Sequence, residues 1–125
     1  TQVPWALGAY WIPLSWGAGV CEEALFRGSV QPALASRWGD GAALLATSAA
    51  FGLAHLTPPF GRDAWAQAGF AAAAGVYLGA RWIADGYRLR GPVAAHVWFD
   101  LLAGAGAYLA DPRENPLGAA VELRW

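Results

Sequence analysis

The sequence has no lysine and no methionine, a single cysteine, and little charge of either sign. Only 14% of its 125 residues are charged, where a soluble domain carries about 25%. Each shortage excludes something. One cysteine, Cys21, cannot form a disulfide within the chain. A net charge of −1, with eight basic residues that are all arginine, offers no basic patch to displace counterions, so nucleic acid is not an expected partner. Strand-like alternation, internal repeats and low-complexity linkers are missing too. A chain that opens at Thr1 without methionine reads as one domain, 1–125, excised from a longer protein.

What is present is apolar and small. Hydrophobic residues make up 57% of the chain, with 16 glycines and eight tryptophans. Alanine and glycine hold the mean hydropathy to +0.31, and small residues let helices approach closely in lipid. Tryptophan gathers at membrane–water interfaces, which makes the eight here expected anchors and packing groups. Four hydrophobic segments are expected as helices. The first covers Trp5–Trp38, with a break near Pro13 or Gly17–Gly19, and the second Gly41–Leu56, stopped by Pro58 and Pro59. The third covers Arg62–Ala84, and the fourth runs from Gly91 to Ala110; Arg113–Trp125 reads as loop or interfacial segment. A soluble four-helix bundle would show polar stripes at helical spacing, and Gly41–Leu53 and Phe70–Gly79 show almost none. The expected fold is therefore all-α: a transmembrane bundle of about four helices in the lipid bilayer. Arg37, Arg81, Arg88 and Arg90 fall on one side, against Arg62, Arg113 and Arg124, a slight imbalance that favours the first set as the cytoplasmic one without fixing the orientation.

Charge in such segments needs a reason, because an ionised group in lipid is costly unless paired. The stretch "CEEALFRGSV" carries Glu22, Glu23 and Arg27 within two helical turns. Glu23 and Arg27 are four apart with the acid first, the favourable order for an ion pair. Glu22 lies about 100° round the helix and is left free to face elsewhere. The two histidines sit in other hydrophobic segments. His55 closes "FGLAH", with Phe51 one turn before it on the same face, and His96 opens "HVWFD", with Asp100 one turn after it.

These three motifs, EExxxR, FxxxH and HxxxD in this order on successive hydrophobic helices, resemble those of the CPBP (Abi) intramembrane proteases. That family includes the type II CAAX prenyl endopeptidases and bacterial bacteriocin-processing and immunity proteins. The resemblance spans residues 22–100 and implies that the chain is the catalytic core of a larger membrane protease. Peptide hydrolysis needs an activated water, a stabilised oxyanion and a proton for the leaving amine. Glu22 is the candidate base, since burial disfavours a charged carboxylate and makes it a better proton acceptor. His55 holds the same water, and His96 with Asp100 binds the carbonyl oxygen. The resemblance implies the same division, with Glu23 and Arg27 as a structural pair and Phe51 supporting His55.

Two routes stay open on the cofactor: none, or Zn²⁺ held by Glu22, His55 and His96 with a water in the open position. The expected substrate is a membrane-embedded or lipidated peptide or protein. High Ala, Gly and Arg content with no Lys suits a GC-rich bacterial genome, which disfavours a prenylated substrate and places the protein in the bacterial inner membrane. The alternative is a non-catalytic membrane scaffold or bacteriocin immunity protein; four ionisable residues in apolar helices argue against it. Cys21, with no histidine near it in sequence, is not an expected nucleophile. His55 ends one helix while His96 nearly begins another, so a shared site requires the second helix to end deep. "TPPFGRD" (Thr57–Asp63) would then line the cavity.

Overall fold

The computed structural model describes residues 7–111; the expected tail and the first residues of the first helix lie outside them. Three helical runs, the first of them kinked at Gly39, account for most of the described residues, with no strand among them. The first begins with a wide, π-helical turn at Leu7–Trp11 and continues as α1 (Ile12–Leu25). A second wide turn at Phe26–Val30 leads into α2 (Gln31–Ala54). The other two runs are α3 (Arg62–Ala84) and α4 (Arg90–Ala110).

The first two expected helices follow one another without a loop. Their boundary survives as a bend at Gly39, where φ is 78° and ψ 165°, a conformation that glycine alone adopts without strain. The break expected near Pro13 or Gly17–Gly19 is absent, since α1 runs through all three. Pro13 falls where the wide turn gives way to α-helix. The irregularity lies later, at Phe26–Val30. α2 stops at His55, whose φ of −91° and ψ of 0° leave the helical region, just before the proline pair that cannot continue a helix.

Two compact units divide the described residues: Cys21–Val93 forms one, and residues 7–20 with 94–111 form the other. The first unit owes its closest packing to small residues on α2 and α3. A Cβ added at Gly52 of α2 would stand 2.6 Å from the Ala68 carbonyl oxygen and 2.7 Å from the Ala72 Cβ. Backbone cannot yield as a flexible side chain can. Gly52→Ala is therefore expected to destabilise the unit by about 1–3 kcal/mol, although alanine is the better helix former. Because Gly52 stands one turn before His55, the same change should also lower activity; thermal unfolding and turnover measured together check both effects.

The interior of this unit inverts the water-soluble pattern. Its largest fully buried side chains include Arg27, Gln31, Glu23 and Thr47, while Leu45, Leu53, Trp65, Phe70 and Tyr77 are exposed. Exposed apolar surface on this scale marks a face that meets something other than water. Among the described residues, one helix, Arg90–Ala110, is long and apolar enough to cross a membrane. α2 and α3 do not meet that measure, so it supports one span of the expected four.

At one end of the unit, Tyr87 adopts a left-handed conformation with φ of 63°, unusual for a residue with a side chain. It is held there by two contacts. Its ring meets Trp82 edge-on, with centroids 4.8 Å apart, and its hydroxyl donates to Asp40 Oδ2 at 2.9 Å. The bond to the Asp40 carboxylate, followed by that carboxylate's charge, raises the Tyr87 phenol above its ordinary value. Its contribution is complete below the ordinary tyrosine value of about 10 and is lost as pH climbs through the raised one. The parent protein should therefore lose thermal stability in that alkaline window, and Tyr87→Phe should lose less.

Candidate active site

The two adjacent glutamates meet different surroundings. Glu23 is fully buried, and its Oε1 accepts a hydrogen bond from Arg27 Nη1 at 2.9 Å. Arg27, buried as completely, also donates through Nη2 to the Gly75 carbonyl of α3 at 2.8 Å. Its guanidinium lies 4.6 Å from the centre of the Phe51 ring, a favourable placement of a cation over a π face. Phe51 in turn packs edge-on against Phe26, with centroids 5.0 Å apart, and against the His55 imidazole at 4.6 Å. A continuous stack therefore leads from the buried ion pair through Phe51 to His55.

His55 is oriented by its own helix. Nδ1 lies 2.8 Å from the Phe51 carbonyl oxygen, which can only accept, so Nδ1 carries a proton and Nε2 is the lone-pair nitrogen of the neutral ring. Nε2 faces Glu22, 3.7 Å from its Oε2. That gap exceeds a direct hydrogen bond and suits two groups that share a third, small partner. Both side chains are about one-third exposed, at 30% and 34%, whereas Glu23 and Arg27 are fully buried; the Glu22 oxygen that faces His55, Oε2, is itself buried.

The other expected pair belongs to the second unit. His96 Nε2 lies 3.6 Å from Asp100 Oδ2, on successive turns of α4, with His96 buried and Asp100 partly so. Asp100 also borders a groove of about 410 Å³, otherwise mainly apolar, whose walls include Trp11, Leu14 and Ala103. The "TPPFGRD" segment departs from expectation. Thr57 to Asp63 are exposed throughout, and all of them but Phe60 border an open groove of about 340 Å³ together with Gln67, rather than an enclosed cavity. Two prolines in succession keep this stretch out of the helices.

Residues 4–102 match the type II CAAX prenyl endopeptidase Rce1-like family. The chain belongs to that family. Its members are membrane-embedded proteases, and all three motifs fall inside the matched residues. No curated protein and no solved structure matches the chain. For a family of endopeptidases in the bilayer, a unit with ionisable groups inside and apolar side chains outside is the arrangement that lipid favours.

The donor set for zinc can be weighed within each unit. Among the described residues neither unit gathers three His, Cys, Asp or Glu side chains around one point; each offers a pair, Glu22 with His55 and His96 with Asp100. A catalytic zinc takes three protein ligands and a water. Neither pair completes such a site, and no step below is routed through a metal. Cys21 is exposed.

Sequence reasoning missed two contributions. One is the pair of Gly75 and Gly79 carbonyls on α3, which receive buried side chains from the first run. The other is Gln31, which is almost wholly buried. Its spacing of four from Arg27 was the signal that could have found it.

Proposed function

We propose that the chain hydrolyses a peptide bond of a membrane-associated substrate by direct attack of water. Glu22 takes the water's proton and His55 Nε2 holds the water in place. The observation that carries this reading is the Glu22–His55 pair. It comprises a carboxylate and an imidazole nitrogen 3.7 Å apart, on side chains that are each about one-third exposed, backed by a buried polar stack that fixes His55. A water beside the two can hydrogen-bond to both. As it attacks the carbonyl carbon, its proton passes to Glu22 and then to the departing amine, so that acid and amine are the only products.

His96 and Asp100 complete the reaction in this proposal by stabilising the oxyanion. Their motif and the family support that role. Asp100 would orient His96, whose ring N–H donates to the oxyanion. The substrate is a lipidated or membrane-embedded peptide, of which prenylated CAAX proteins are the class the family's name describes.

The full-length protein in bilayers, given fluorogenic membrane peptides, tests the oxyanion half directly. His96→Ala should lower kcat by about 10²–10³-fold, the range found for loss of one oxyanion donor. Asp100→Asn should lower it less, since an amide can still hold His96 or donate. Unchanged cleavage by folded His96→Ala protein would remove His96 from the mechanism.

A further inference from the structure

Gln31 is 1% exposed, and the chemistry above does not use it. A carboxamide is costly to bury without partners. Its Nε2 donates to the Gly79 carbonyl of α3 at 3.4 Å, one turn along from the Gly75 carbonyl that receives Arg27. Its Oε1 is buried with no direct hydrogen-bond partner. Glu23, Arg27 and Gln31 thus form a column of buried polar side chains on the first run. Two of them grip successive turns of the facing helix.

The wide turn at Phe26–Val30 makes this column possible. On a regular helix, residues eight apart stand about 80° out of line, at about 100° per residue. One extra residue in the turn takes back about one residue's rotation, which returns Gln31 to within about 20° of Glu23. The Ser29 hydroxyl, donating at 3.2 Å to the Ala24 carbonyl five residues back, spans that turn. On α3 the receiving positions are both glycine, and the contacts there are close. A Cβ at Gly75 would stand 3.1 Å from Ser48 Cα and 3.4 Å from Arg27 Nη2. A Cβ at Gly79 would stand 2.7 Å from Gln31 Oε1 and 2.5 Å from Leu44 Cδ1.

We infer that Gln31 is a positioning residue for Glu22. A single anchor, Arg27 on Gly75, is a pivot about which the Glu22-bearing segment can still turn. A second anchor one turn away fixes both rotation and axial register against α3. Glu22 lies about 100° round the helix from Glu23, so the rotation that seats the column inside also aims Glu22 at His55. The inference builds on the proposed role of Glu22, but its test does not need catalysis.

The test uses full-length protein in bilayers with Cys21→Ala, Glu22→Cys and His55→Cys, treated with a short bifunctional thiosulfonate. The rate of cross-linking reads how well positions 22 and 55 face each other. Adding Gln31→Met, which keeps the length and removes the amide, should slow cross-linking severalfold at temperatures where both proteins are folded. Gly79→Ala reaches the same end from the other side, by displacing an intact Gln31, and decides the matter if Gln31→Met fails to fold. In the enzyme with Glu22 and His55 in place, Gln31→Met should lower kcat/KM at least about tenfold, as misplacement of a reacting group does. Cross-linking as fast as in the parent background would overturn the inference. Slowed cross-linking together with full activity of Glu22→Gln would leave the positioning role standing and remove the catalytic one.

Discussion

Glu22→Gln is expected to lower kcat by about 10²–10⁴-fold, the range spanned by removal of a general base, with little change in stability. The carboxamide keeps the size and one acceptor oxygen of the carboxylate but cannot take the proton that attacking water must lose. Stability should survive because the Glu22 side chain is about one-third exposed and stands outside the buried column. A partly exposed ion pair contributes little to folding. His55→Ala should be similarly impaired, and Glu22→Gln combined with His55→Ala should be hardly worse than either alone, since residues that act on one water as a unit do not add. Steady-state kinetics and thermal unfolding on the same samples check all of this.

The second large effect is on stability and concerns the other glutamate. Glu23→Ala strands the Arg27 guanidinium in an interior where neither side chain is exposed. Breaking a buried pair by removing one partner costs about 3–5 kcal/mol, whereas replacing both with apolar groups is often close to neutral. Glu23→Ala should therefore unfold far more readily than the parent, and Glu23→Leu with Arg27→Met should recover part of the loss. Recovery should be incomplete, because Arg27 also anchors α3 through the Gly75 carbonyl. Denaturation in detergent compares the three proteins; a Glu23→Ala variant as stable as its parent would mean that the column does not hold this unit together.

The contrast between neighbouring glutamates was legible in the sequence because helical geometry alone separates their directions. Spacing of four tied Glu23 to Arg27, and Phe51 to His55, and the structure shows both contacts. The α3 limits, Arg62–Ala84, were legible from Pro58 and Pro59 before them and Asp85-Gly86 after them. Other features were not. A wide turn such as Phe26–Val30 follows from how a helix must rotate to seat three polar residues on a neighbour, and that neighbour is about 50 residues away in the chain. Gly39 was readable as a boundary between segments but not as a bend within one helical run. The exposure of Thr57 to Asp63 escaped because the expectation came from the demands of a shared site rather than from those residues themselves.

The most direct test of the central claim is cleavage of a membrane-peptide library by full-length protein, with Glu22→Ala and Glu23→Ala measured beside the parent for both activity and thermal unfolding. The account predicts that Glu22→Ala unfolds like the parent and cleaves nothing, while Glu23→Ala unfolds at markedly lower temperature. Cleavage by Glu22→Ala at the parental rate would contradict it, and the carboxylate facing His55 would then have no part in activating water.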